Sequence, residues 1–387
     1  MTTNTLTNLL PNLYADLDVV SRELTGMIPA VTIDASLARG KKDQSVFIPV
    51  APSNTSADIT PAMSVPAEAD QTIGSVAVTL SKTKAVKFSW DGEEERGLNT
   101  GPGISSIWRG QFAQALRVLV NEVESDLCGL QSKFSRAYGT ASTTPFGTAS
   151  DFTDASQALR ILKDNGAPLS DNQLIINTAA GASFLGKQAD ANRMGTDTIL
   201  RQGVFQTVSG MDIRESGQVV TQTAGAMASA TSTSAAFTVG QTAIPLATAG
   251  TGVVAAGDVI SFANDSNKYV VASVVFAGAN PASGDVITLA APGLRVAQTA
   301  ATRAITVVAT SARNMAFNRS AIVLATRLPE RPSAGDMAID VTTLVDPRSG
   351  LAFEVAIYPG YRKVVYEVSL AWGVQVIKPA HTALLLG

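Results

Sequence analysis

The sequence predicts an α+β fold interrupted by an all-β segment, and three observations carry that prediction. A helical apolar pattern runs over 104–136, helix and strand patterns mix over 151–216, and a tract almost free of charge fills 222–312. Strand patterns resume after that tract, so it reads as an insertion into the fold around it. The 387 residues give a prior of two to three domains.

Composition narrows the class. Hydrophobic residues make up 45% of the chain, which is ordinary, but charged residues make up only 16%, against a usual ~25%. A monomer with so few charges has trouble hydrating its surface, so neighbouring subunits are expected to cover much of it. With one histidine, His381, and one cysteine, Cys128, a zinc site of several Cys and His ligands and an intrachain disulfide are both excluded. A Ser-His-Asp triad or a Cys-His pair would have to use His381, near the C-terminus, a poor place to hold catalytic geometry. The net charge of −3 argues against a dedicated DNA binder. No stretch approaches the ~20 apolar residues of a membrane span. The opening MTTNTLTNLL lacks the basic start of a signal peptide, so a protein made and kept in a cytoplasm is expected.

Along the chain, Leu6, Leu9, Leu10, Leu13 and Leu17 recur at helical spacing in an N-terminal arm that Gly26 and Pro29 stop. SVFIPV (45–50) is a short strand, followed by a proline-rich stretch unable to build a core. Val76, Val78 and Leu80, then Val86, Phe88 and Trp90, alternate with small or polar residues. A hairpin this long is marginal alone, so it is expected to lie on another subunit. The pattern from Ile104 through Trp108, Phe112, Leu116, Leu119, Val123, Leu127 and Leu130 to Phe134 predicts one helix of roughly 50 Å, with Cys128 as a small core residue. Asp154 and Gln157 fit a capping box for the next helix, which Asn165-Gly166 ends. Leu174-Ile175-Ile176 is a buried strand, with Thr178 placed to cap the helix after it.

Between 222 and 312 only Asp258, Asp265, Lys268, Asp285, Arg295 and Arg303 are charged. The runs FTVG, DVISFA, YVVASVVF, DVITLA and AITVVA, separated by turn residues, read as a small all-β barrel or sandwich. MAFNRSAIVLATRLP, LAFEVAIYPG and RKVVYEVSLAWGVQVIKP then return to the sheets begun earlier.

No catalytic, cofactor-binding or metal constellation emerges. GTGVVAAG (250–257) partly matches a dinucleotide fingerprint but lacks the following helix. Asp91, Glu93, Glu94 and Glu95 form the one dense acidic cluster, without the alternating spacing of a calcium loop. It reads as a solvated helix start, or as a partner for Arg39, Lys41 or Lys42 of a neighbouring subunit.

The order of parts resembles the major capsid proteins of tailed bacteriophages, the Hong Kong 97 capsid fold. More narrowly it is similar to the coat proteins of short-tailed Salmonella phages, which carry an inserted β-barrel domain. LIINTAAGASFLG, ILRQGVFQTVSGMDIRES, GDVISFA, RNMAFNRSAIVLATRLP and AWGVQVIKPAHTALLLG carry the likeness. The resemblance implies an N-terminal arm (1–44), an extended loop with adjoining strands (45–97), and a peripheral domain with a spine helix (98–149). It further implies an axial domain (150–221), an inserted β-barrel (222–312) and return strands (313–387). The implied function is a coat subunit, not an enzyme, that assembles through pentamers and hexamers into an icosahedral virion head enclosing double-stranded DNA without sequence-specific binding. Its implied partners are itself, scaffolding and portal proteins and a decoration protein, with no cofactor and no membrane. Arg39, Lys41, Lys42, Asp58, Glu68, Asp70, Glu93, Glu94, Glu95 and Arg96 are the expected intersubunit contacts. Two other readings compete: a different virion protein with a carbohydrate-binding β domain, and a hydrolase using Asp258, Asp265 and Asp285.

Overall fold

The structure is a computed structural model that describes residues 25–50, 58–59, 61, 63, 74–98, 104–147, 151–188, 205, 207–248, 250–276, 278, 282–346 and 350–387. The helical stripe expected at 6–17 lies outside them. The first part of the chain forms β1 (Thr32–Gly40), β2 (Ser45–Val50), β3 (Gly74–Thr79), β4 (Lys82–Asp91), α1 (Gly92–Leu98) and α2 (Ile104–Cys128). Next come β5 (Arg136–Tyr138), α3 (Thr153–Asp164), β6 (Asn172–Ile176), α4 (Thr178–Gln188), β7 (Met211–Glu215) and β8 (Thr221–Gln222). The low-charge tract supplies β9 (Thr231–Ser232), β10 (Ala243–Thr248), β11 (Val259–Phe262), β12 (Lys268–Val275), β13 (Val286–Leu289) and β14 (Ile305–Val307). The chain ends with β15 (Ser311–Asn318), β16 (Ile322–Pro329), β17 (Asp340–Val345), β18 (Ala352–Gly360), β19 (Lys363–Val376) and β20 (Thr382–Leu386). This is a mixed α+β fold.

The first sheet is organised around β19. Trp372 pairs with both Lys82 and Thr326, and Ser369 with both Ala85 and Glu354. Strand β4 therefore runs along one edge of β19, while β16 and β18 lie end to end along the other. Strand β1 adds to β16 in parallel, and β17 to β18 antiparallel. Helix α2 packs on this sheet. Phe112, Leu116, Leu119, Val123 and Leu127 recur at three- and four-residue spacing and share a core with Phe353, Val355, Tyr366, Val368 and Trp372.

The helix is shorter than the sequence pattern predicts. It stops at Cys128, and Gly129–Lys133 form a 3-10 turn. Leu130 and Phe134 remain buried, which explains why the apolar pattern continued past the helix end. Arg136–Tyr138, expected within or just beyond the rod, instead pair as β5 with β20 and β12.

In the second sheet, β7-β6-β15-β20-β5 run side by side. Helix α3 buries Ala155, Ala158, Leu159, Ile161 and Leu162 against Leu174, Ile176 and Leu385. Its predicted start is corrected: Asp154 accepts from the Phe146 N–H, while Asp151 Oδ1 accepts from the Thr153 N–H at 2.7 Å. Its end agrees with the sequence, Gly166 turning at φ +78°, a conformation that suits glycine. Asn177, not Thr178, caps α4, accepting from the Ala180 N–H at 3.0 Å.

Strands β9 to β14 share a core of their own, including Phe237, Leu246, Ile260, Tyr269 and Ile287. Pairing runs β9-β10-β13-β12-β11-β14. The path returns to its start because the Ile305 N–H donates to Ala230 O and the Ser232 N–H to Arg303 O. FTVG, expected as a strand, contributes only a bridge between Phe237 and Gln298. Strand β12 also pairs with β5, so this unit is continuous with the second sheet.

Candidate assembly interface

Strands β2 and β3 form an antiparallel hairpin from Ser45↔Thr79 to Val50↔Gly74. Its root is closed by the Asp43 N–H donating to Leu80 O and the Leu80 N–H to Gln44 O. The expectation that this stretch lies on another subunit is corrected: β4, carrying Val86, Phe88 and Trp90, pairs with β19 of its own sheet over ten residue pairs, and the alternating face of the hairpin also packs on its own chain. Val46, Ile48, Val78 and Leu80 pack on Val323 and Ala325, whereas Phe47 points outward and is 68% exposed. At the root the hairpin touches β19 so closely that a Cβ on Gly373 would lie 2.0 Å from Thr79 O. Farther along, Ile59 is 98% exposed and Met63 fully exposed. A single chain leaves these apolar side chains in water.

A complementary feature lies on α2. Ile107, Gln111, Gln114 and Val118 recur at helical spacing on a different stripe from the core, and with Val86 and Phe88 of β4 they line an apolar groove. Ile107 and Val118 are exposed, and none of the lining residues belongs to the hairpin. Ring contacts and a hydrogen bond hold the groove floor together. Phe88 stacks on Tyr366 at 5.4 Å and meets Phe112 edge-on at 4.8 Å, and Trp90 Nε1 donates to Gln111 Oε1 at 2.7 Å. Burial pushes the Tyr366 hydroxyl up to about 12, so it stays neutral.

Below the groove, charges fasten β4 to α2. Lys82 Nζ lies 2.7 Å from Asp126 Oδ1 and 3.3 Å from Glu122 Oε1, and Lys84 also pairs with Glu122. Trp372 Nε1 donates to Asp126 Oδ2 at 2.8 Å. The bond to Asp126 outweighs desolvation and raises the Lys82 ammonium above its ordinary range. Burial of Glu122 works against its ionisation, yet the bonds from Lys84 and Lys82 hold its carboxyl below the usual range.

On the far side of α2, Glu124 is fully buried and receives the chain that precedes β1. Its carboxylate accepts from the backbone N–H groups of Met27 and Ile28 and from Ser216 Oγ, at 2.7, 2.9 and 2.7 Å. Burial, opposed by these bonds, raises its pKa. Cys128 lies nearby with its thiol 3.9 Å from Ser216 Oγ and pushed up by burial.

The residues expected to meet other subunits are dispersed. Arg39 is engaged within its own chain, 2.6 Å from Glu354, which Arg331 also binds at 2.9 Å. Lys41 and Lys42 sit exposed in the hairpin-root turn, and Asp58 is exposed; Glu68 and Asp70 lie outside the described residues. The acidic cluster starts α1: Asp91 Oδ1 accepts from the N–H groups of Glu93 and Glu94, and Glu94 Oε2 accepts from the Asp91 N–H. Glu93 and Arg96 are exposed and Glu95 half-buried. Among the described residues no ion pair joins Arg39, Lys41 or Lys42 to this cluster. The groove-lining Val118 was not foreseen. Its spacing of eleven residues from Ile107, three helical turns, was the available signal.

The acids weighed for hydrolysis serve turns. Asp258 Oδ2 accepts from the N–H groups of Ala255 and Gly225, Asp265 from Asn267 and Tyr269, and Asp285 from Ala282. Among the described residues no group of three or more His, Cys, Asp or Glu could hold a metal ion. No described helix is long and apolar enough to cross a membrane.

No family model and no curated protein matches the chain. Similar solved structures include the capsid of the cyanophage P-SCSP1u, at 11% identity and a TM-score of 0.47 over 92% of this chain and 86% of the other. A Mycobacterium phage Che8 chain matches at 14% and 0.41 over 89% and 85%. The virus-like particle of Pyrococcus furiosus matches at 10% and 0.40 over 98% and 100%.

Proposed function

We propose that this chain is a shell-forming capsid subunit of the Hong Kong 97 type, the coat protein of a tailed bacteriophage. The observation that carries the reading is the mismatch within one chain. An apolar hairpin exposes Phe47, Ile59 and Met63, and an apolar groove between α2 and β4 is filled by nothing from that hairpin. If the hairpin of one copy lies in the groove of the next, the contact is heterologous, and repeated head-to-tail contacts of this kind close into rings. On this reading the same contact builds pentamers and hexamers of an icosahedral head that encloses double-stranded DNA. A low-charge inner wall avoids the counterion-release grip of a basic surface on phosphates.

The finer assignments belong to the same proposal. Helix α2 serves as the spine of a peripheral domain, β6, β7, α3 and α4 belong to an axial domain, and the circuit β9–β14 is the inserted barrel of Salmonella-type coat proteins. The divisions at 44, 97, 149, 221 and 312 follow from this assignment, as do scaffolding, portal and decoration proteins as partners in a host cytoplasm. Electron microscopy of the purified full-length protein is the test, with closed icosahedral particles or ring-shaped capsomers expected. A stable monomer across protein concentration and ionic strength, or open tubes, would overturn the reading.

A further inference from the structure

A cavity of about 210 Å³ lies at the seam between the β9–β14 unit and the second sheet. One side is lined by Arg136 of β5 and by Asp164 and Asn165 at the C-terminal end of α3. The other is lined by the loops around Gly240 and Gly293 and by Arg295. These loops are laced together, the Gly240 N–H donating to Leu294 O at 2.8 Å and the Leu294 N–H to Gln241 O at 3.0 Å. Two arginines against one aspartate leave the lining with a net positive charge. Pockets for drug-sized ligands start at ~300 Å³, and one liquid water takes up ~30 Å³. The cavity therefore has room for a small ion and a few waters.

Arg136 is only 2% exposed, yet its guanidinium is incompletely paired. Nη1 donates to Asn267 Oδ1 at 3.0 Å, and Nη2 to Asn165 Oδ1 at 3.0 Å and Ile161 O at 3.5 Å. The carboxylate beside it, Asp164, stands 3.4 Å from Nη2, longer than the ~2.7–2.9 Å of a close charged pair. Nε is buried without a partner. The nearby carboxylate of Asp265 is taken up by Asn267 and the Tyr269 hydroxyl. Arg295 is fixed through its backbone, whose N–H donates to Tyr269 Oη at 3.2 Å. Its side chain is exposed and, among the described residues, in no ion pair. Burial holds the Arg136 guanidinium below its ordinary range, the charge of Asp164 working against that and the charge of Arg295 adding to it.

We propose that this cavity is a binding site for a small inorganic oxyanion, phosphate or sulfate, held by the guanidinium groups of Arg136 and Arg295. A guanidinium presents its N–H groups as a planar fork that matches two oxygens of such an ion. A negative guest also relieves two like charges that line one partly enclosed space. Arg136 comes from β5 and Arg295 from the loop after β13, so the ion ties the two walls of the seam together in the arrangement they already have. Binding to the folded chain alone stabilises it by mass action.

The test is calorimetric titration of the full-length protein with inorganic phosphate at constant ionic strength, in wild type, R295A, D164N and K42A. Arg295 is exposed, so its truncation leaves the fold intact. K42A makes the same change of charge at an exposed position outside the cavity. The expected result is one phosphate per chain with a Kd of about 1 mM or tighter. R295A should weaken it about tenfold or more, D164N should tighten it by removing the competing carboxylate, and K42A should leave it unmoved. Hydrogen exchange should slow with phosphate in peptides over 239–241 and 292–296. Absence of saturable binding to wild type would overturn the proposal. So would a Kd that R295A leaves unchanged or that K42A shifts equally, loosening by D164N, or protection confined to other peptides. None of these readouts requires assembly, so they stand whether or not the protein forms shells.

Discussion

The backbone N–H of Met27 donates to Glu124 Oε1 at 2.7 Å across 97 residues of sequence. The helix that packs on the first sheet thus also anchors the chain leading into β1. Glu124→Ala leaves the N–H groups of Met27 and Ile28 and the hydroxyl of Ser216 without their acceptor, and is expected to lower stability by about 2–4 kcal/mol. Denaturant unfolding checks the magnitude.

The same residue gives a pH dependence. Its folded pKa is raised by burial, so its contribution to stability is fully present below the unfolded value of about 4.3 and is lost as pH rises through the folded value. The Tm of wild type minus that of Glu124→Gln should therefore fall as pH is raised from about 4 through that range. A difference that does not change with pH would show that Glu124 titrates alike in both states.

Glu122 should behave in the opposite sense. Its folded pKa is depressed by Lys84 and Lys82 despite burial, so its stabilisation is present above about 4.3 and is lost as pH falls through the folded value. The groups are partly exposed, so Glu122→Gln should cost about 1 kcal/mol or less at neutral pH. Thermal melts of the two proteins should converge in acid.

Gly373 tests the seat of the hairpin. With Thr79 O 2.0 Å from the position of a Cβ, Gly373→Ala must push β3 away from β19 and cost about 1–3 kcal/mol. Faster hydrogen exchange confined to 74–80 and 371–375 is the expected signature.

Phe47→Ser and Val118→Asp separate folding from assembly. Both side chains are exposed, so each change should leave unfolding within about 0.5 kcal/mol of wild type. Sedimentation should nevertheless show smaller particles or free subunits. A lowered Tm with unchanged particle size would mean that both positions serve the subunit itself.

The sequence disclosed β4 and α2 through one buried face and one wet face. Alternation around Val86, Phe88 and Trp90 marked β4, and three- and four-residue spacing from Phe112 to Leu127 marked α2. Strand β1 escaped notice because TIDASLARG offers little apolar contrast and is held by pairing with β16. Strand β10 was hidden by Pro245, which pairs with Val286 within the strand although proline supplies no ladder donor. The end of α2 was misplaced because Leu130 and Phe134 are core residues in a different backbone conformation. The groove went unread because its residues become a surface only when β4, distant in spacing from α2's outer stripe, comes to lie beside it.

The two-pair ladder between β5 and β12 also has a mechanical consequence. A force applied to the outer surface of the β9–β14 unit is not confined there, because Lys268↔Ala137 and Tyr269↔Arg136 pass it into β5 and, through Ala383↔Arg136, into the C-terminal strand. The load path ends where Gly387 and Ala312 exchange backbone hydrogen bonds, at the strand that leaves the unit. Indentation of a shell made from such subunits would therefore strain a closed mechanical loop, and its stiffness would depend on the last few residues of the chain.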